Sequence, residues 1–462
     1  MSRRRATLHL GWTLTVLVAT ATASEAQEEM SSGGSGGSFK GPSGWVNPLK
    51  NRYITGKPLE VCDQGAFFVG GVPKITTFAS SVTEEGPPQQ ITIGQSYVQF
   101  MIPRERRRWP LVMIHGSTHT GAALDATPDG RQGWFSYAVS KNLATFVMDQ
   151  PGRGRSGFDH SVIHEAKVTG DLDLIRPIGR ITDNAAWTVW FGHLIDGMTI
   201  LDGRMIRHGD PGDPHPPEDP SNPSEAHGDY FPAYPIPPMP RSIDPNIAAR
   251  EGAIGPDPNP ANNDYLALQY YKQLVPNGEA TLPGSVCETC DPTTISPADT
   301  WSPRAAADLL EGLGGAIVSP HSQSTSQVFQ MVRLLKERDK LHLVKGIIIP
   351  EGAGTSLAAA GLEPADFDHI PFLLVNGDYR PLTTREGNRA AVAQMNASPT
   401  RSVGPALALD VEDPMFGGEL LGTTHMNMLG TTNLALFDFF LEWAGENIDN
   451  PLVRGAGRCG NK

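Results

Sequence analysis

Cysteine is scarce in this chain, with only Cys62, Cys287, Cys290 and Cys459 among 462 residues. The pair in Cys287-Glu-Thr-Cys290 lacks a second pair or a nearby histidine at zinc spacing, which argues against a structural metal site. It also sits in a Pro/Gly-rich loop and not at the head of a helix after a strand, which argues against a redox centre. An even count in an exported chain favours structural disulfides, with the connectivity open. Basic charge is short as well. Lys and Arg number 37 against 50 Asp and Glu, for a formal net charge of −13. That balance excludes the basic face that nucleic-acid binding needs. No apolar run reaches the roughly 18 residues of a membrane span, so none is expected.

What is there begins with an N-terminal signal. Arg3, Arg4 and Arg5 precede a mostly apolar stretch over 8–21 that is too short and too threonine-rich to cross a bilayer. Small residues follow, with cleavage sites after Ala23 or Ala26. Residues 1–26 are therefore read as a secretory signal peptide, with an ordinary N-terminal helix as the alternative. A secreted or periplasmic location is expected. Residues 27–45, rich in Ser and Gly, read as a flexible linker.

Hydrophobic residues make up 39% of the chain, enough for a substantial core. Strand patterns occur at 66–70, 74–79 and 90–103, an antiparallel opening of a sheet. Strand and helix patterns then alternate: strands at 110–114, 144–149, 315–319, 344–350 and 371–376, with helices at 134–141, from 326, and at 433–446. The last helix would turn Leu434, Leu436, Phe437, Phe440 and Trp443 inward. Such alternation predicts a mostly parallel central sheet with helices on both faces. Between 170 and 300 it breaks down, and 209–260 is dense in proline, unfit for a central strand or long helix. This excursion is read as an inserted cap over the ligand crevice, at the carboxyl ends of the strands. A disordered surface insertion is the alternative. Trp187, Trp190, Phe191, Tyr265, Tyr270 and Tyr271 favour packing. The domain reading is thus core 46–169, cap 170–300 and core 301–462.

Three stretches carry chemistry. Ile114-His115-Gly116-Ser117 follows a buried strand and suits an oxyanion loop, in which preset N–H groups meet charge developing on a carbonyl oxygen. The Ser117 N–H is one candidate donor; a plain strand-to-loop turn is the simpler reading. Asp149-Gln-Pro-Gly-Arg-Gly-Arg-Ser-Gly157 matches a dinucleotide fingerprint at Gly152, Gly154 and Gly157, yet no clean helix follows. A tight structural loop is expected instead. Third, Ser319-Pro-His-Ser322-Gln-Ser324 lies between a buried strand and a helix, the setting of a nucleophile elbow. Ser324 fits the small-residue position two places after the serine, whereas Pro320 departs from the usual glycine before it. The helix dipole and the Gln323 N–H would favour an oxyanion; a serine N-cap is the bland alternative.

A serine nucleophile needs a base, and the base an acid. After the elbow come His342, His369 and His425. The first two stand at strand entrances, away from the crevice. His425, in a loop before the last helix, is where the chain order serine, acid, histidine places the base. Glu351 and Asp378 each follow a strand and both remain candidates; Asp378 holds the commoner position.

The chain resembles the secreted bacterial α/β-hydrolase esterases of the esterase 713 group, from about residue 65 onward. The resemblance is carried by Ala66-Phe-Phe-Val-Gly-Gly71, Ile114-His-Gly116, Ala126-Thr-Pro-Asp-Gly-Arg131, the Asp149–Ser156 stretch, Ser319–Ser324, Pro350-Glu351, Gly377-Asp378 and Thr424-His425-Met426. It implies an α/β-hydrolase fold and an acid one strand after the serine, hence Glu351, with Asp378 as a supporting acid. The cysteines that follow His-Gly in that family are replaced here by Ser117 and Thr118. The expectation is a carboxylic ester hydrolase acting through Ser322, His425 and Glu351, with Ser117 and Gln323 as oxyanion donors and no metal or organic cofactor. The expected partner is a small-molecule ester, with a homodimer left open. An amidase or lactonase on the same residues, or a non-catalytic binding protein, are the rival readings.

Overall fold

The computed structural model describes residues 58–128, 131–175, 179–181, 186, 190, 270–276, 301–353, 355–377, 382–420, 423–430 and 432–453, with the backbone alone at 200–201, 204–205 and 382–383. The signal, the linker, most of 170–300 and the three cysteines after Cys62 lie outside them.

Eight strands form one sheet: β1 (Val61–Thr76), β2 (Gln89–Pro103), β3 (Leu111–Ile114), β4 (Thr145–Met148), β5 (Ala316–Pro320), β6 (Val344–Pro350), β7 (Phe372–Asn376) and β8 (Leu407–Asp410). Their order is β1-β2-β4-β3-β5-β6-β7-β8. β2 runs antiparallel to both its neighbours, β1 and β4, and every later pairing is parallel. The inner strands are short apolar runs, Leu-Val-Met-Ile in β3 and Phe-Leu-Leu-Val-Asn in β7, buried at every residue. They are continuous because helices cover both faces.

Side chains alternate between two cores, as period-2 geometry requires. Leu111, Met113, Ile317 and Ile348 join one cluster with helix α1 (Trp134–Ser140) and helix α6 (Asn433–Asn447). Val112, Ile114, Val318 and Ile347 join the other, with α3 (Trp301–Leu313), α4 (Ser324–Glu337) and α5 (Leu382–Asn396). Helix α2 (Ser161–Thr169) follows the glycine-rich loop. On the first face the Trp134 ring lies 5.3 Å from Phe437 and 5.8 Å from Phe440.

The structure corrects the sequence reading in four places. The strands expected at 66–70 and 74–79 are one strand, β1, because β2 pairs with it almost throughout. Helix α4 starts at Ser324, not 326, since Ser324 tucks its hydroxyl onto the Ile114 carbonyl (2.9 Å) and so tolerates the first turn. Leu434 is only partly buried on α6, while Asn433 takes an inward place. Strand β8 was not foreseen: Leu-Ala-Leu-Asp is too short to separate from a helix fragment by periodicity.

Of the expected cap, several described residues pack on the core. Ala186, Trp190, Tyr270, Tyr271 and Leu274 belong to the first cluster, and the Val275 N–H donates to the Thr118 carbonyl at 2.8 Å. Among the described residues no helix is long and apolar enough to cross a membrane.

Candidate active site

Strand register lines up the segments that carry the candidate chemistry. Ile114 pairs with Pro320, and Pro350 with Val375. The residues just beyond each pair therefore emerge at one edge, the carboxyl end of the sheet. Pro320 closes its strand beyond its last pairing with β6, Val318 to Ile347, and the next donor is the His321 N–H onto the Ile114 carbonyl at 2.9 Å. The departure from an elbow glycine is thus accommodated. Ser322 then turns with φ of 53° and Glu351 with φ of 59°. Left-handed backbone at non-glycine residues costs about 1–3 kcal/mol and concentrates at functional sites. The two strained turns brace each other: the Ser322 N–H donates to the Glu351 carbonyl at 3.2 Å, and Ser322 bridges Gly352.

The structure brings Ser322, His425 and Glu351 together. His425 Nε2 lies 3.0 Å from Ser322 Oγ, and His425 Nδ1 lies 3.2 Å from Glu351 Oε2. The carboxylate fixes the tautomer: a proton on Nδ1 faces it, leaving the Nε2 lone pair for the serine hydroxyl. Glu351 is fully buried, and Ser322 and His425 nearly so. His342 and His369 stand apart, the latter bonded to Ser402. Asp378 lies outside the described residues. The candidate donors flank the serine. Gln323 caps α4, and its N–H finds no backbone acceptor among the described residues. On the other side a Cβ on Gly116 would sit 2.9 Å from Ser322 Cβ, which places the Gly116–Ser117 peptide against the serine.

The C-terminal side of the His425 loop is held by Arg131 and Trp134. Arg131 donates Nη1 to Asn433 Oδ1 at 2.9 Å and Nη2 to the Leu429 and Gly430 carbonyls at 3.2 and 2.9 Å. Trp134 Nε1 donates to the Asn433 carbonyl at 2.8 Å. Three residues that sequence reasoning did not place at the site complete the surroundings. His321 contacts the His425 carbonyl through Nε2 at 2.8 Å. Trp190 lies roughly parallel to the His425 ring, centroids 6.1 Å apart. His119 contacts the Ser117 carbonyl through Nδ1 at 2.7 Å and Tyr270 Oη through Nε2 at 3.1 Å. Burial pushes the His119 pKa down to about 3, so its ring stays neutral. The only advance sign of His321 was its place beside Ser322.

Glu351 rests on Gly377, whose N–H donates to Oε1. A Cβ there would collide with Glu351 Oε1 and come 2.7 Å from the Thr423 carbonyl. Gly377→Ala is therefore expected to displace the carboxylate and cut kcat by about 100-fold, as misplacements of about 1 Å do. Far-UV circular dichroism should be unchanged, and full activity in the variant would refute the role given to this contact.

The glycine-rich stretch forms a loop pinned by hydrogen bonds and charge. Asp149 accepts from the Gly121 N–H at 2.7 Å and from Arg155 Nε at 2.8 Å, and Ser156 Oγ accepts from the Tyr97 N–H at 2.9 Å. Burial alone would raise the Asp149 pKa, but the Arg155 hydrogen bond and neighbouring charge hold it below the ordinary carboxylate value. Among the described residues no group of three or more His, Cys, Asp or Glu could hold a metal ion. A cavity of about 400 Å³ near Leu111, Ile317, Phe437 and Phe440 has none of Ser322, His425 or Glu351 in its lining; convergence of side chains, not volume, marks the site.

An antiparallel start, parallel continuation, and serine and histidine at the carboxyl edge define an α/β-hydrolase fold. A bacterial esterase solved at atomic resolution shares it with a TM-score of 0.57, at 23% sequence identity over 85% of this chain and 98% of that one. A probable secreted lipase, phiG, of a fungus (Fungal sp., strain ATCC 74256) is 36% identical over 61 residues, which span 13% of this chain and 17% of the lipase. No protein-family model matches the chain.

Proposed function

We propose that the protein hydrolyses carboxylic esters through an acyl-enzyme on Ser322, in the manner of the secreted bacterial esterases it resembles. The observation that carries this reading is the unbroken relay from Ser322 Oγ to His425 Nε2 at 3.0 Å and from His425 Nδ1 to Glu351 Oε2 at 3.2 Å. The esterase and lipase names of the two similar proteins favour ester substrates.

His425 takes the Ser322 proton as Oγ attacks the ester carbonyl carbon. The carbonyl oxygen becomes an oxyanion between the Ser117 and Gln323 N–H groups. The tetrahedral intermediate collapses, and His425 hands its proton to the departing alcohol oxygen. Water then repeats the sequence: His425 removes its proton, the hydroxide attacks the acyl carbon, and Ser322 leaves as the hydroxyl while the acid is released. Glu351 stabilises the imidazolium in both halves and stays ionised. The cap over 170–300 would set acyl preference. Export and structural disulfides belong to the same reading.

The test is turnover of nitrophenyl esters of rising acyl length, with and without a serine-directed phosphonate. Turnover that the phosphonate abolishes, with its mass added at Ser322, is the expected result. Label without turnover would point to an amide or lactone substrate, and absence of both would sink the catalytic reading in favour of a binding protein.

A further inference from the structure

Arg153 is a guanidinium buried to 2% exposure in the glycine-rich loop after β4. Burying such a group is costly unless its donors are matched, and its matches converge on one place. Nη1 donates to the Gly116 carbonyl at 2.7 Å. Nη2 donates to Gln150 Oε1 at 2.5 Å and to Gln323 Oε1 at 2.6 Å. Gln150 donates its own Nε2 to the His115 carbonyl at 2.7 Å and accepts from Gln327 Nε2, on α4, at 3.0 Å. The Gln150 N–H donates to His115 Nε2 at 3.0 Å. The His115 ring proton is therefore on Nδ1, which meets the same Gly116 carbonyl at 2.9 Å. Burial first, then the Arg153 charge, lowers the His115 pKa to about 3, so His115 stays neutral and Arg153 carries the charge.

We propose that Arg153 is a positioning residue for oxyanion stabilisation, aiming and polarising the Ser117 and Gln323 N–H groups by holding the Gly116–Ser117 peptide at its carbonyl and Gln323 at its side chain. This rests on the ester-hydrolase reading above. The C=O and N–H of one trans peptide point in opposite directions. A cation on the Gly116 oxygen therefore turns the Ser117 N–H away from itself and draws electron density from it, strengthening that N–H as a donor. The same peptide lies against Ser322, and Gln323 follows Ser322 directly in sequence. One planar fork thus ties together two segments more than 200 residues apart in the chain, Gly116 and Gln323. A lysine ammonium, a point donor on a flexible stem, would not reproduce the fork.

The test compares full-length wild type with Arg153→Met and Arg153→Lys. For each, kcat and KM are measured on a nitrophenyl ester, and the infrared stretch of the acyl carbonyl is recorded on the Ser322 acyl-enzyme. Loss of an oxyanion donor outright costs about 10²–10³-fold in kcat. Loss of its support is expected to cost Arg153→Met about 10- to 100-fold, with KM nearly unchanged. The carbonyl stretch should move to higher frequency in Arg153→Met and part of the way in Arg153→Lys. A variant that melts earlier but keeps the wild-type carbonyl stretch would make Arg153 a structural brace and overturn the proposal. Should Arg153→Met fail to fold, Arg153→Lys decides on the same two readouts. A wild type that forms no adduct on Ser322 overturns the ester-hydrolase reading and this inference with it, whereas an unshifted stretch overturns this inference alone.

Discussion

Ser322→Ala should lower kcat by about 10⁶-fold, to the level that oxyanion donors and substrate binding alone sustain. The size follows from the unit character of the relay. Ser322 Oγ lies 3.0 Å from His425 Nε2, and on the proposed reading neither attack nor acyl transfer can occur without it. KM should change little, since the hydroxyl contributes to the transition state and not to ground-state binding. The left-handed turn at φ of 53° remains with alanine, so the melting temperature should stay near that of wild type. Pure Ser322→Ala protein that still cleaves nitrophenyl esters at an appreciable rate would end the assignment of Ser322.

Glu351→Gln should cost about 10⁴-fold in kcat. Glu351 is buried, accepts the Gly377 N–H on one oxygen and faces His425 Nδ1 with the other. An amide in that slot can present N–H to Nδ1 and force the proton to Nε2, the wrong tautomer for taking a proton from serine. It also removes the negative charge that offsets the imidazolium. Asp378→Asn is the matching control: the larger loss marks the acid, and a larger loss at Asp378 would transfer the role to it. Both variants should bind a serine-directed phosphonate more slowly in proportion to their loss of turnover.

Much of the fold was legible because the inner strands are buried on both faces and so read as continuous apolar runs, Ile-Ile-Ile in β6 being the plainest. Ser322 was legible from its place between strand and helix, and His425 from chain order. Glu351 was one of two acids at strand ends, and only a resemblance separated it from Asp378. Other features have no local signal. Arg153 sits among glycines in a stretch that reads as a loop, and nothing near it in sequence says that its side chain folds back onto Gly116. Gly377 resembles any strand-ending glycine until the Glu351 carboxylate is seen against it. Strand β8 is defined by pairing to β7, and its four residues carry no pattern of their own. Trp190 reaches His425 from a stretch whose sequence announces only aromatics and proline.

The clamp of Arg131 and Trp134 on Asn433 also bears on when the molecule becomes competent. The Trp134–Asn433 contact closes over 299 residues, and His425 meets Ser322 over 103. On the proposed relay, a growing chain therefore carries Ser322 long before it carries its base, His425. A species whose last helix has not docked leaves the His425 loop without its Asn433 anchor and is expected to lose ester turnover, however well its sheet has formed. On that reading, ester turnover is expected to report that the final segment of the chain has docked.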